Sequence, residues 1–321
     1  MSASSLSRRS LLALGAGGLT LALAGRAAAA TDFGVMVMAH GGGAVWNGEV
    51  EAMLAPLRAE LPLEVAFGMA EAASLQAAVQ RLEARGVRRI GVVRLFISGE
   101  SWLERTEQIL GVRPGAAPKA AHGEHDPHGP HGSHDPAAPG GGHDMGLWRI
   151  ETRSAFAIGR EGLAEAPEMG EVLVERVRGL SRDPASESVL ILAHGPEDDG
   201  ENERWLARID ARAESVRRAA PFRAVRVATL REDWPEKRVA SEARIRDFVA
   251  AAGRDGGRAL VIPYRVSGFG PYKGVLEGLS YVSDGKGLIP SAGVEHWVRR
   301  QIAALRTGPF LPQVAQDQAA G

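Results

Sequence analysis

Two apolar runs, VMVMAH ending at His40 and VLILAH ending at His194, each stop on a histidine that glycine follows at once. Each run opens the same series of segments. After His40 come helical EVEAMLAPLRAEL, strand-like LEVAFGMA, helical SLQAAVQRLEARG and strand-like RIGVVRLFISG. After His194 come helical NERWLARIDARAESVRRA, strand-like FRAVRVATL, helical KRVASEARIRDFVAAAG and strand-like RALVIPYRVSG. Apolar strands alternating with amphipathic helices predict a parallel sheet with both faces covered. Two such series in one chain predict two flavodoxin-like α/β halves related by internal duplication. GREGLAEAPEMGEVLVERVRGL and SDGKGLIPSAGVEHWVRRQIAAL extend the repeat past the third strand of each half.

The halves differ in one place. The stretch from Gly99 to Gly162 is far longer than its counterpart from Gly268 to Gly287, and the excess contains AAHGEHDPHGPHGSHDPAAPGGGHD. Six of the nine histidines stand there: His122, His125, His128, His131, His134 and His143. Dense Pro and Gly without apolar periodicity predict a disordered surface insertion over 113–147. Its imidazoles suit weak, multi-site binding of Co, Ni, Cu or Zn. The sequence divides into a leader (1–30), a first half (31–182), a second half (183–303) and a flexible tail (304–321).

The leader SRRSLLALGAGGLTLALAGRAAAA carries paired arginines, a short apolar segment and an Ala-rich end, the layout of a twin-arginine export signal. A periplasmic protein is expected, with no membrane association once the signal is removed. The chain contains no cysteine, so any metal must be held by nitrogen and oxygen. A net charge of −1 gives no electrostatic basis for a nucleic-acid partner. No dinucleotide fingerprint, P-loop or nucleophile elbow is present, so no nucleotide cofactor is expected.

In open α/β sheets, ligands bind beyond the carboxyl ends of the strands. His40 and His194 stand at that edge, where an imidazole can hold a metal or move a proton. The third strand of the first half ends Ser98-Gly99-Glu100, which predicts that Glu100 shares the edge with His40. A carboxylate there can equally favour the dipole of the next helix. Phe269 takes the equivalent place in the second half, so no ligand pair is expected on that side. Arg94 and Arg265, on or beside the third strands, are candidates for binding an acidic substrate.

The strand ending in AHG, the later strand ending in SG and the duplication resemble the class II chelatases, and more narrowly the CbiX/SirB group of sirohydrochlorin cobalto- and ferrochelatases. The resemblance covers about 33–110 and, more weakly, 188–302. It implies two flavodoxin-like halves facing a cleft in which a divalent metal, Co or Fe, enters a tetrapyrrole. It also implies that the histidine after the first strand, here His40, ligates metal and takes the pyrrole protons. The family's second histidine, after the third strand, is missing, and Glu100 stands nearby. The family's strand proline is kept as Pro263 but replaced by Arg94 in the first half. Its acidic residue after the second strand has no clear match, since Met69 falls near that place and Glu71 further on. The alternative is a non-catalytic metal-binding or metal-delivery protein on the same fold. A duplicated chain supplies both halves by itself, so a monomer suffices.

Overall fold

The computed structural model describes residues 32–119 and 146–315. The expected export signal and all six histidines of the insertion lie outside the described residues.

The first half contains β1 (Phe33–Ala39), α1 (Ala44–Glu60), β2 (Leu63–Phe67), α2 (Ala72–Ala84), β3 (Arg89–Leu95) and α3 (Leu103–Ile109). It continues through β4 (Ala117–Pro118), β5 (Trp148–Arg149), β6 (Ala155–Ile158) and α4 (Glu168–Leu180). The second half contains β7 (Glu187–Ala193), α5 (Asp199–Ala219), β8 (Ala224–Thr229), α6 (Pro235–Ala252), β9 (Arg258–Tyr264), α7 (Tyr272–Val275) and α8 (Ala292–Thr307). One parallel sheet has the order β2-β1-β3-β6 and the other β8-β7-β9. The central strands are in matching register: Ala39 pairs with Phe67 and Leu95, and Ala193 with Thr229 and Tyr264. The expected fold class, a duplicated α/β parallel-sheet protein, is what the chain forms.

Strand composition follows from this placement. Every residue of β1 and β7 is buried, as central parallel strands require, so neither run alternates apolar with polar. Val35 and Val37 of β1 face a core shared with Val189 and Ile191 of β7, while Met36 and Met38 face an outer core under α2. The layers run outer helices, first sheet, shared helices, second sheet, outer helices.

The shared layer is built by exchange. α4 leaves the first sheet and packs on α5 and β9, while α8 leaves the second and packs on β3 and β6. Trp297 of α8 is fully buried and donates from Nε1 to Glu161 at 3.1 Å, and Arg300 clamps Glu161 and Glu168. Tyr264 of β9 donates to the carbonyl of Leu163 at 2.9 Å. In each half a glycine lets the outgoing chain press against the end of the third strand. After Gly162, Leu163 and Ala164 donate to Phe96 and Ile97; after Gly287, Leu288 and Ile289 donate to Arg265 and Val266. These paired bonds make Phe96 and Arg265 equivalent positions.

Two boundaries differ from the sequence reading. Residues 304–315 are not a loose tail. Leu305 is buried, Phe310 packs edge-on against Phe33, Leu311 bridges to Phe156, and Gln313 bonds the carbonyls of Leu110 and Ile150. Exchange of α8 carries this segment over the first half, where it finds partners that its own composition did not advertise. The insertion is also anchored more tightly than 113–147 implied, because β4 and β5 pair at its base.

A side chain at position 287 would bring its Cβ to 2.6 Å from Ser267 Cα and 2.7 Å from the carbonyl oxygens of Arg265 and Val266. All three are backbone atoms, which cannot rotate away. Gly287→Ala should lose roughly 1–3 kcal/mol by overpacking, read as a lower urea midpoint, and both halves should still unfold in one transition.

Candidate metal site at the end of the second sheet

His194 follows β7 directly. Its Nδ1 lies 2.6 Å from the carbonyl oxygen of Gly195, which can only accept, so Nδ1 carries a proton. Nε2 is then the free nitrogen. It lies 2.9 Å from Asp233 Oδ2 and 3.4 Å from Glu232 Oε1. Among the described residues this is the one group of three side chains that could hold a metal ion, its donor atoms all within 4.8 Å of one another.

Backbone bonds bring the carboxylates there. Leu230 N donates to Ala193 O at 2.9 Å and Arg231 N to His194 O at 2.7 Å, so the loop after β8 is stitched to the loop after β7. Arg231 adopts a φ of 58°, which costs about 1–2 kcal/mol for a residue with a Cβ. Its buried guanidinium offsets that by bonding Asp199 Oδ1 at 2.9 Å and the carbonyl of Glu197. Trp234 stands edge-on to the His194 ring at 5.7 Å and limits its rotation. Glu232 is mostly buried and Asp233 mostly exposed.

Three acceptor atoms facing one another repel unless a cation sits among them. That cation is either a proton on Nε2 or a metal ion. Donors bound at about 2.0–2.2 Å to one metal stand roughly 3.0–3.4 Å apart, close to the two separations His194 makes. One imidazole and two carboxylates suit a divalent ion of borderline character.

The first half holds no equivalent group among the described residues. His40 has the same local geometry, with Nδ1 2.9 Å from Gly41 O, and is exposed. Glu100 does not join it. Its carboxylate is taken by two arginines of α5, Arg204 and Arg208, each at 2.7 Å. Hydrogen bonds from Arg204, opposed by partial burial and reinforced by Arg208, hold Glu100 below the usual glutamate range. Arg208 also pairs with Glu165 at 2.8 Å, so Glu100 belongs to an ionic bridge between the halves. In the second half, Ser267 donates to Glu49 of α1.

The expectation that the second half offers no ligand pair is corrected as well. Phe269 does occupy the place after the third strand, stacked on Tyr281 and edge-on to Tyr272. The carboxylates arrive instead from the end of β8. Two residues beyond Gly68 and Leu230, which make equivalent bonds to Ala39 and Ala193, the first half has Ala70 and the second Glu232. Aligning FGMAE with TLRED sets Glu71 opposite Asp233 and marks this loop as acidic in both halves.

Neither arginine candidate is free for an acidic substrate. Arg94 is 1% exposed and donates to the carbonyls of Gly99, Gly159 and Ser101; burial pushes its guanidinium down to about 10. It braces the loop at the end of β3. Arg265 donates to both oxygens of Glu232 at 2.9 and 2.7 Å. A surface cavity of about 410 Å³ lies beside Glu100, away from His194. Its charges are already matched, Arg160 to Glu107 at 2.6 Å and Arg113 to Glu104 at 3.4 Å.

No protein-family model and no curated protein matches the chain. Solved structures do. SirB from Bacillus subtilis with Fe3+ superposes with a TM-score of 0.55 at 13% identity, over 84% of this chain and 96% of that one. The sirohydrochlorin chelatase SirB from Bacillus subtilis subspecies spizizenii, in complex with cobalt, gives a TM-score of 0.52 at 14% identity, over 87% and 99%. The fold is that of the class II chelatases. At such identity the likeness covers the path of the backbone and not the side chains of the site.

The Glu100 bridge has a pH signature. Its carboxyl titrates lower folded than its usual value of 4.5, so its stabilisation is complete above that value and lost as pH falls through the folded one. Glu100→Gln should lower stability at pH 7 by about 0.5–1 kcal/mol, the worth of a partly exposed network. The difference from the unsubstituted protein should shrink as pH falls below 4.5 and through the lower folded value, as measured by thermal melts across pH.

Proposed function

We propose that the protein binds a divalent metal ion, Co2+ or Fe2+, through His194, Glu232 and Asp233, and inserts it into a tetrapyrrole such as sirohydrochlorin. The supporting observation is a three-acceptor cluster at the carboxyl end of a parallel sheet in a chelatase fold. The metal is substrate here, not a resident cofactor. Insertion requires a metal that can be let go and removal of two pyrrole protons. Exposed Asp233 takes one pyrrole proton as the ion departs, and His194 Nε2, freed of the ion, takes the other. Glu232, less exposed, is the fixed ligand, and His194 Nε2 holds the metal until the macrocycle nitrogens replace it. In this reading His40 faces the same macrocycle from the other half, and the histidine-rich insertion gathers metal. The leader would place this chemistry in the periplasm.

A second reading, metal delivery without turnover, is favoured by Phe269. It stands after the third strand, where the resemblance implies a second imidazole. The site would then pass its ion to another acceptor.

Purified protein incubated with sirohydrochlorin and Co2+ or Fe2+ should shift the visible bands of the tetrapyrrole to those of the metallated product. His194→Ala should lower the rate at least 100-fold and Glu232→Gln about 10-fold or more, in line with loss of ligands or proton acceptors. His40→Ala should have a smaller effect. Unchanged turnover in His194→Ala would sink the assignment. Metal binding with no turnover selects delivery, and deleting 120–145 should then remove most of the bound metal.

A further inference from the structure

Arg265 stands in the copy of the repeat that carries Glu232. Its equivalent in the first half is Phe96, and counting from the bonds of Gly68 and Leu230 sets Ala70 at the place of Glu232 and Glu71 at that of Asp233, so the arginine and its own glutamate partner are found in the same copy of the repeat. The guanidinium is built in. Its Cζ lies 5.6 Å from the ring centroid of buried Tyr272. Gly270, with a φ of 60°, makes room for it, since a Cβ there would stand 2.7 Å from that same Cζ. The side chain spends its Nη1 on both oxygens of Glu232.

A surface arginine on an ordinary carboxylate would need none of this. Here the partner carboxylate is one of the three acceptors around His194. With a neutral imidazole, Glu232 and Asp233 give the site a charge of −2. Arg265 brings it to −1 and places a fixed positive charge just behind one ligand. A divalent ion entering the site feels that charge through the carboxylate. The carboxylate has lone pairs enough for both partners, so Arg265 weakens the ion's hold without evicting its ligand.

We infer that Arg265 is a positioning residue that aims Glu232 at His194 and keeps the site weak and fast-releasing for a divalent cation. The inference rests on the metal-site reading of His194, Glu232 and Asp233, and explains how such a site gives up its ion. Two effects oppose each other when the charge is removed. Loss of orientation loosens Glu232, whereas loss of repulsion strengthens every metal–ligand contact. A unit charge acting on a doubly charged ion over several ångströms outweighs the freeing of one rotamer, so removal should tighten binding by about tenfold or more.

The test is titration of the full-length protein with Co2+ alone, followed by its d–d absorption, with release measured after adding a chelator. His194→Ala run in parallel isolates the His194-dependent signal from ions held by other histidines. Arg265→Gln keeps a donor to Glu232 and removes the charge. It should bind Co2+ about tenfold more tightly and release it correspondingly more slowly, and the Arg265→Gln/His194→Ala double variant should lose that gain. Arg265→Lys keeps the charge without the paired hydrogen bonds to Glu232 and should stay within about threefold of the unsubstituted protein, as expected if charge dominates geometry. A well-folded Arg265→Gln, by circular dichroism, whose His194-dependent affinity is unchanged or weaker overturns the role of Arg265 and leaves the metal site standing. If Arg265→Gln does not fold, Arg265→Lys decides alone, and a His194-dependent affinity tightened tenfold there overturns the charge argument. Absence of any His194-dependent signal in the unsubstituted protein overturns the metal site and this inference together.

Discussion

The exchange of α4 and α8 between the two sheets is the contact on which the rest of the structure depends. A three-stranded parallel sheet such as β8-β7-β9 leaves one apolar face bare unless helices cover it. Each half covers its outer face with its own helix, α2 or α6, but its own α1 or α5 covers only part of the inner face, and the borrowed helix completes it. Each lends its last helix to the other, and the loan is fixed by buried Trp297, by the bond from Tyr264 to Leu163, and by glycines 162 and 287 where the chain turns away from the third strand. The shared core therefore holds the carboxyl ends of both sheets in one frame. The loops that carry His40 and His194 are presented by that frame, and the bridges Glu100–Arg204 and Ser267–Glu49 connect the halves beside it.

Within that frame the site is an electrostatic problem solved with few parts. The carbonyl of Gly195 fixes the His194 tautomer, the backbone of Arg231 fixes the approach of the carboxylates, and Arg265 limits the negative charge they create. None of these three offers a donor atom to the proposed ion. They act on the donor atoms, and that is where affinity and release are set.

Much of the fold was legible in the sequence because it is written by periodicity. Buried central strands read as continuous apolar runs, and the two copies reinforced one another from VMVMAH and VLILAH through to the segments around Gly162 and Gly287. The position of the tail was not legible, because what orders residues 304–315 is the far surface of the other half. The candidate site was legible in part. His194 was marked by its place at a strand end. Glu232 and Asp233 were hidden in a run of charges, REDWPEK, that reads as an ordinary solvated helix start. Glu100 was misplaced for the opposite reason. Its position after β3 was read correctly, but Arg204 and Arg208 reach it from a helix more than a hundred residues away. Arg94 and Arg265 looked alike as strand arginines, and only the packing separates a loop brace from a carboxylate clamp.

The duplication gives these differences a physical sense. Two identical sites facing one macrocycle would compete for a single metal, and tight binding on either side would oppose transfer. Here the copies have diverged at three equivalent positions: Glu232 against Ala70, Arg265 against Phe96, and Phe269 against Glu100. The first pair gives one half an anionic ligand set. The second moderates it. The third trades a ligand position for an aromatic wall on one side and an ionic bridge on the other. In the proposed function one half holds the ion and the other completes the enclosure around it, a division that a symmetric dimer of a single half could not make, since each substitution would appear on both sides at once.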